Sequence, residues 1–190
     1  MEENYFYDKE FANKKASDFN FTDAEFESCT FKFCDFSQAP LSGVSFIDCR
    51  FEECNLSGAA MAGTTLRDCT FFSCKTMGLH FDDCNAGGLS LRMENCNLMH
   101  ATFYKCRLQK SVFSRCNMTH ADFTDADLTG AALTQCELAD AKFENTNLEN
   151  ADLRGSVNYL VDPELNRIRK ARFSIDGLPG LLTRYNISVE

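Results

Sequence analysis

The sequence predicts an all-β solenoid of square cross-section, and three regularities support that prediction. Large apolar residues recur every five positions, a small residue precedes each of them by two positions, and like residues recur at separations of 20. A five-residue period fits neither an α-helix nor a flat strand, whose periods are 3.6 and 2.0 residues. It fits a chain that turns a corner every five residues and buries one small and one large side chain per segment.

The large residues fall into two registers. The first weakens through Thr76, Phe81, Ala86 and Leu91, in an irregular zone at about 76–93. Because Leu91 and Leu98 are seven residues apart, two residues are inserted near 89–93. The first register contains Phe21, Phe26, Phe31, Phe36, Leu41, Phe46, Phe51, Leu56, Met61, Leu66 and Phe71. The second contains Leu98, Phe103, Leu108, Phe113, Met118, Phe123, Leu128, Leu133, Leu138, Phe143, Leu148 and Leu153.

The small position holds every cysteine of the chain. Alanine, serine, threonine and valine occupy the same position elsewhere, which predicts that the cysteines fill inward slots as small apolar side chains. The eleven cysteines are Cys29, Cys34, Cys49, Cys54, Cys69, Cys74, Cys84, Cys96, Cys106, Cys116 and Cys136.

The cysteine separations predict the length of one coil. Cys29, Cys49 and Cys69 are 20 residues apart, as are Cys96, Cys116 and Cys136 in the second register. Like residues therefore stack once every four segments. Successive coils of 20 residues would hydrogen-bond to one another at the inter-strand spacing of about 4.8 Å.

Disulfides and a zinc site are the alternatives to core packing for these cysteines. Residues stacked one coil apart lie within the Cα range of a disulfide, but the odd count of eleven and the free exchange with alanine disfavour bridges. Zinc needs convergent ligands, whereas a ladder supplies parallel ones. The sequence thus favours buried, reduced thiols.

Histidines and carboxylates offer little support for catalysis or a metal site. His80, His100 and His120 are spaced by 20, but only His100 and His120 share a register, at an outward position. The chain lacks a glycine-rich phosphate loop, an HExxH motif and a nucleophile elbow. We therefore expect no catalytic residues, no metal and no cofactor. Phe33 is predicted to face outward without an evident role.

Composition narrows the function classes further. The formal charge of −9 disfavours direct binding to nucleic acid or to an anionic membrane. No apolar run approaches the roughly 20 residues that cross a bilayer, and the first residues lack the apolar core of a signal peptide. A cytoplasmic, non-enzymatic protein is the expectation.

The repeats stop after Gly155, and the tail differs in charge. Residues 157–190 carry five basic and four acidic residues, whereas the preceding part carries 14 basic and 24 acidic ones. A short strand over Arg169–Ser174 is predicted, and then a helix over Leu178–Tyr185 with Asp176 as its cap and Pro179 in its first turn. Its apolar face leaves two roles open, a cap on the solenoid or a dimer contact.

The segments ADFTD, ADLTG, TNLEN and ADLRG resemble the repeat units of pentapeptide-repeat proteins. The resemblance covers residues 19–157 and implies a right-handed quadrilateral β-helix. Residues 1–18 would then form an N-terminal cap or the start of the first coil. Residues 158–190 would form a C-terminal dimerisation module, a short strand and helix that also cap the solenoid.

The tail SVNYLVDPELNRIRKARFS is similar to the C-terminal module of the quinolone-resistance (Qnr-type) and albicidin-resistance members. The matching residues are Tyr159, Asp162, Asn166, Ala171, Arg172, Phe173, Ser174, Leu181, Leu182 and Ile187. That resemblance implies a tail-to-tail homodimer. Its interface would contain Phe173, Ile175, Leu178, Leu181, Leu182, Tyr185 and Ile187.

The same resemblance implies a function. A rod with acidic groups along it would mimic DNA and occupy the DNA-binding saddle of DNA gyrase or topoisomerase IV, and so modulate the response to quinolones or albicidin-like poisons. The alternative is a solenoid scaffold that binds an unrelated protein. The predicted enzyme-facing residues lie nearest the dimer centre: Asp122, Asp125, Asp127, Glu137, Asp140, Glu144, Glu149 and Asp152.

Overall fold

The computed structural model describes residues 4–87 and 89–187, which form the predicted all-β parallel solenoid and end in a short helix. Every strand has only three or four residues, because the chain turns a corner within each five-residue segment. The elements are β1 Tyr5–Tyr7, β2 Glu10–Ala12, β3 Glu25–Glu27, β4 Thr30–Lys32, β5 Ser45–Ile47, β6 Arg50–Glu52, β7 Thr65–Arg67, β8 Cys69–Phe72, β9 Leu91–Glu94, β10 Val112–Ser114, β11 Ala132–Thr134 and α1 Pro179–Leu182.

The strands form two parallel sheets whose registers reproduce the 20-residue period. One sheet has the order β1-β3-β5-β7 and the other β11-β10-β9-β8-β6-β4-β2. Phe6 pairs with Phe26, and Phe11 pairs with Phe31. Residues 5–18 therefore form the first coil, and the solenoid begins before Phe19.

Each coil has four faces, and the large residues form one inward column behind each face. Isolated bridges extend the pairing to the two faces without extended strands. The first face carries Phe6, Phe26, Phe46, Leu66, Leu108, Leu128, Leu148 and Ile168; the second Phe11, Phe31, Phe51, Phe71, Met93, Phe113, Leu133, Leu153 and Phe173; the third Phe36, Leu56, Thr76, Leu98, Met118 and Leu138; the fourth Phe21, Leu41, Met61, Phe81, Phe103, Phe123 and Phe143.

Phenylalanines stack as ladders inside the solenoid. On the second face the ring centroids of Phe31 and Phe51 lie 4.9 Å apart, and those of Phe51 and Phe71 lie 4.7 Å apart. On the fourth face Phe103 and Phe123 stack at 5.0 Å. Since the coil repeat imposes this separation, each ring gains both burial and offset stacking.

The corners that follow the large residues are of two kinds. In a tight corner the small residue donates its backbone N–H to the carbonyl of the large residue three positions earlier, as Ala126 does to Phe123 at 3.0 Å. In an open corner the chain stays extended and that bond is absent, as after Phe26, where β3 continues to Glu27. The buried carbonyl then needs another donor.

Cysteine side chains supply that donor. The thiol of Cys49 donates to the Phe26 carbonyl at 3.3 Å, and the thiol of Cys54 donates to that of Phe31 at 3.3 Å. The hydroxyl of Ser156 does the same to the carbonyl of Leu133 at 2.6 Å. Above the open corners other than that of Leu66, the small position thus holds a residue with a side-chain donor, which at Phe143 is the amide of Asn166 at 2.8 Å. The cysteines with this bond are Cys29, Cys34, Cys49, Cys54, Cys69, Cys74, Cys96, Cys116 and Cys136.

The two-residue insertion lies between Asn85 and Leu91. Asn85 still keeps the 20-residue register, because its N–H donates to the Thr64 carbonyl, whereas Leu91 pairs with Cys69. Two residues therefore differ from their predicted positions: Ala86 is exposed, and Leu91 fills a small slot instead of a large one. The backbone N–H of Ser90 donates to the carbonyl of Leu66 at 3.1 Å, so this open corner needs no side-chain donor above it.

The tail adds a last partial coil and then α1. The predicted strand over Arg169–Ser174 is reduced to bridge pairing of Arg172 with Asp152. The predicted helix is α1 followed by a 3-10 turn at Thr183–Tyr185, and a second 3-10 turn, Ile175–Gly177, precedes it. Asp176 lies within that preceding turn, and no side chain caps α1, so the predicted cap is wrong; Pro179 does begin the helix.

Two glycines fix α1 against the solenoid. A Cβ on Gly180 would lie 2.1 Å from the Tyr159 carbonyl oxygen, and one on Gly177 would lie 2.0 Å from the Tyr159 hydroxyl. Only glycine permits this approach. The N–H of Val161 then donates to the Gly180 carbonyl at 3.0 Å and ties the tail to the last coil.

Candidate interaction surfaces

The buried thiols are poor candidates for chemistry. All eleven cysteines are free and buried. Burial raises the pKa of Cys49 to about 12 and holds the pKa of Cys69 well above its usual value. Because all eleven side chains are buried in the small slots, they pack as parts of the core and none is open to a substrate or a metal ion.

His100 and His120 stack on the third face, as predicted. Their ring centroids lie 4.9 Å apart with an interplanar angle of 11°, and both rings are exposed. The Nδ1 atom of His120 lies 3.7 Å from a carboxylate oxygen of Asp140. Within residues 4–87 and 89–187, no group of three or more His, Cys, Asp or Glu side chains is placed to hold a metal ion.

Charge differs between the two ends of the solenoid. Residues 4–87, the upstream half, contain 13 acidic and 7 basic residues, a net charge of −6. Residues 89–175, the downstream half, contain 11 of each and are neutral overall. The negative charge is therefore not spread evenly along the rod.

The downstream half is neutral but strongly polarised. Its third and fourth faces, named here the acidic side, carry Lys105 and Lys142 against seven carboxylates. These are Asp122, Asp125, Glu137, Asp140, Glu144, Asp162 and Glu164. Its first and second faces, named the basic side, carry four carboxylates and nine cations: Arg92, Arg107, Lys110, Arg115, Arg154, Arg167, Arg169, Lys170 and Arg172.

The eight acidic residues predicted to face a partner do not share one surface. Five lie on the acidic side, whereas Asp127, Glu149 and Asp152 lie on the basic side among cations. The guanidinium of Arg154 donates to Asp152 at 2.7 Å and holds the pKa of that carboxyl below its usual value. Asp122 is 3.8 Å from Lys142 one coil above, the cross-coil pair that a 20-residue period produces.

The tail presents an apolar surface at the end of the rod. Ile175 is 84% exposed and Leu178 is 43% exposed, and Tyr185 and Ile187 are also exposed. Phe173, Leu181 and Leu182 are half-buried, with Phe173 and Leu181 packed against the core. Of the twelve exposed large apolar residues in the described part of the chain, seven lie here: Val157, Leu160, Leu165, Ile175, Leu178, Tyr185 and Ile187.

Three of those seven were missed by the sequence prediction. Val157, Leu160 and Leu165 follow the repeats closely, and Val157 continues an outward column by pairing with Glu137. An apolar residue at an outward position of the five-residue period is the signal that identifies such residues. With them, the apolar surface spans the last coil as well as α1.

Phe33 combines exposure with backbone strain. It is 53% exposed, as predicted, and has a φ of 54°. Most corners place one residue in this left-handed region, and elsewhere in the described chain that residue is polar, charged or glycine. A large apolar residue is unfavourable there.

The family model for the pentapeptide repeat region matches residues 20–93 and 90–158. The chain belongs to the pentapeptide-repeat family. The right-handed quadrilateral β-helix that defines this fold class is thereby confirmed. No curated protein sequence matches the chain.

Among solved structures, the chain is similar to two trypsin-treated variants of QnrB1, described as a plasmid-mediated fluoroquinolone resistance protein. Each gives a TM-score of 0.65 at 23% identity, over 98% of this chain and 97% of the other. Full-length QnrB1 gives a TM-score of 0.46 at 21% identity, over 96% of this chain and 100% of the other. HetL of the cyanobacterium Nostoc sp. strain PCC 7120, involved in heterocyst differentiation regulation, gives 0.41 at 17% identity, over 88% and 86% of the two chains.

None of the helices in residues 4–87 and 89–187 has the length and apolar character that crossing a bilayer requires.

Proposed function

We propose that this pentapeptide-repeat protein binds a type II topoisomerase, DNA gyrase or topoisomerase IV, through its acidic side and modulates the enzyme's response to quinolone or albicidin-like poisons. The observation that carries the proposal is the negative charge of the acidic side, which has seven carboxylates and two lysines along the solenoid. The overall similarity to QnrB1, which is named for fluoroquinolone resistance, supports the same class of partner.

The acidic side is complementary in charge to a protein surface that binds duplex DNA. Asp122 and Asp125 lie on one coil, Glu144 on the next, and Asp162 and Glu164 on the one after. Successive coils are about 4.8 Å apart, so these groups form a compact negative strip at the downstream end. Cationic grooves that neutralise phosphates would accept such a strip, with affinity falling as salt rises.

Dimerisation through the apolar tail would join the acidic strips of two chains. Tail-to-tail pairing through Ile175, Leu178 and Tyr185 would bring the acidic strips of two chains to the centre of one longer rod. Burying exposed apolar side chains drives such an association. No catalytic step is part of the proposal, and the protein would act by occupying the enzyme's DNA-binding surface.

A supercoiling assay with purified gyrase, with and without quinolone or albicidin, tests the proposal. The triple variant Asp122→Asn, Asp125→Asn, Glu144→Gln should lose inhibition or protection at least tenfold. The matched control, Asp23→Asn, Asp48→Asn, Asp68→Asn, removes the same charge from the upstream half and should act like wild type. Absence of any effect of the wild type on gyrase and topoisomerase IV at micromolar concentrations would reject the proposal in favour of a scaffold for another protein.

Light scattering tests the tail contact separately. The substitution pair Ile175→Asp and Leu178→Asp, named here the tail variant, changes exposed residues and should give monomers with an intact fold by circular dichroism. Leu181 is less suitable, because it packs against the core. An unchanged mass for this variant would exclude the tail as the dimer contact.

A further inference from the structure

The two ends of the first face carry complementary side chains. The outward residues of this face, and those at its corner with the second face, recur once per coil. The paired residues of the second face show that there are nine such coils. These are Glu10, Thr30, Arg50, Thr70, Arg92, Val112, Ala132, Asp152 and Arg172. We number these coils as rungs 1 to 9.

Rung 1 is aromatic and acidic, whereas rung 9 is basic throughout. In four of the outward columns rung 1 has Tyr5, Tyr7, Asp8 and Glu10, all exposed; Lys9 between them is exposed as well, and Glu10 pairs with Lys32 of the next coil at 2.8 Å. At the same four positions rung 9 has Arg167, Arg169, Lys170 and Arg172, also exposed. No ion pair is formed by Arg167, Arg169 or Lys170 within the described residues.

An antiparallel copy of the chain would match these ends. A two-fold axis perpendicular to two side-by-side rods places rung 1 of one copy against rung 9 of the other, column by column, twice per pair. Tyr5 then meets Arg167, and Tyr7 meets Arg169, as cation–π or stacking partners. Asp8 meets Lys170 and Glu10 meets Arg172 as ion pairs.

The interior rungs follow the same complementarity. Asp68 on rung 4 falls opposite Lys110 on rung 6. Two pairs are unfavourable: Glu27 on rung 2 against Glu149 on rung 8, and Arg92 on rung 5, which meets the Arg92 of the second copy at the axis. A parallel two-fold arrangement would instead pair each rung with itself, which would place Arg167 against Arg172 and Arg169 against Lys170.

We propose that a second copy of this chain binds antiparallel along the first face and its corner with the second face. Eight steps of about 4.8 Å make this contact about 38 Å long. A polyanion is a poorer occupant, because the acidic upstream half of the same face would repel it. The lateral pair covers the cations and leaves both acidic sides exposed.

The association can be measured in the tail variant, which removes the other contact. We expect it to be dimeric by light scattering at about 50 mM salt and monomeric at about 500 mM, since exposed ion pairs are screened. Triple reversal of Arg167, Arg169 and Lys170 to Glu should leave monomers at low salt. Reversal of Asp8 and Glu10 to Lys should do likewise, and mixing the two reversed proteins should restore a dimer.

The unfavourable pair of Glu27 and Glu149 provides a gain-of-function test. Glu149→Lys should place a lysine opposite Glu27 and strengthen association at least threefold. Glu144→Lys changes the same charge on the acidic side, one segment earlier in the chain, and should leave association unchanged. Equal effects of the two substitutions would mean that net charge alone drives self-association, and would overturn the proposed register.

Cross-linking tests the orientation. Ile47 on rung 3 and Thr129 on rung 7 share a column and are four steps, about 19 Å, apart within one chain. In the double variant Ile47→Cys, Thr129→Cys, disulfides should form between copies, whereas Ile47→Cys, Thr124→Cys should give none. A monomer at low salt, binding of duplex DNA by the basic side without self-association, or equal cross-linking in both variants would overturn the inference.

Discussion

The first face is built differently in the two halves of the molecule. Upstream, Phe6, Phe26 and Phe46 precede open corners, and cysteines in the coil above donate to their carbonyls. Downstream, Leu108 and Leu128 precede tight corners, and the small residue closes each corner with its own N–H. The insertion at 86–90 separates the two constructions.

The difference between open and tight corners explains why cysteine occupies the small position in some coils and alanine in others. A tight corner satisfies its own carbonyl, so alanine is sufficient above it, as at Ala131 and Ala151. An open corner leaves a buried carbonyl that the next coil must satisfy, which costs about 1–3 kcal/mol if nothing does. The small slot is therefore chosen by the backbone of the coil below.

Removing a ladder phenylalanine from the upstream half should have the largest effect. Phe51→Ala is expected to cost about 3–5 kcal/mol of unfolding free energy, because the ring is buried and stacks on both Phe31 and Phe71. Since repeat proteins are stabilised mainly by neighbouring coils, amide exchange should accelerate more upstream than downstream. Phe33→Ala, at an exposed position, should change stability by less than about 0.5 kcal/mol; equal losses in both halves would argue against this separation.

Cysteine substitutions should distinguish the two kinds of corner directly. Cys49→Ala removes the donor to the Phe26 carbonyl and should cost about 1–3 kcal/mol in urea unfolding. Cys106 lies above a closed corner, because the Phe81 carbonyl one coil below already accepts from the Cys84 N–H at 3.2 Å, so Cys106→Ala should cost about 1 kcal/mol or less. Cys49→Ser should recover most of the loss; identical costs for both alanine variants would contradict the role of the thiol.

Alkaline pH should produce the smallest effect. The pKa of Cys49 is raised to about 12 by burial, whereas an unfolded thiol titrates near about 8.5. The stability from keeping this thiol protonated is complete below the unfolded pKa and is lost as pH rises toward 12, by about 1 kcal/mol at one unit above the unfolded pKa. Thermal melts from neutral pH to about pH 10 should fall more steeply for wild type than for Cys49→Ser, and parallel slopes would refute the assignment.

Much of this fold follows from counting residues. The five-residue period identified the inward columns, and the 20-residue cysteine separation gave the coil length, because both depend only on position along the chain. The same period already included Phe6 and Phe11, which extend the solenoid to Tyr5. The corner type could not be predicted from the period, because it depends on the backbone of a neighbouring coil.

The errors have equally specific causes. Leu91 was placed in a large slot because the seven-residue step to Leu98 reveals an insertion but not on which side of Leu91 it lies, which only the pairing of Leu91 with Cys69 shows. Asp176 was taken as a cap, but the backbone enters a 3-10 turn there so that Gly177 and Gly180 can approach Tyr159. The acidic residues were grouped by distance along the chain, although their position within each 20-residue coil decides which face they occupy.

The thiol-to-carbonyl bonds also bear on how the chain is made. Each donor lies 23 residues after its acceptor, or 25 across the insertion, so every coil is completed by the one synthesised next. Because each contact spans about one coil of sequence, folding can propagate from coil to coil. A column growing on the ribosome would thus keep open corners at its end until roughly one more coil has been translated.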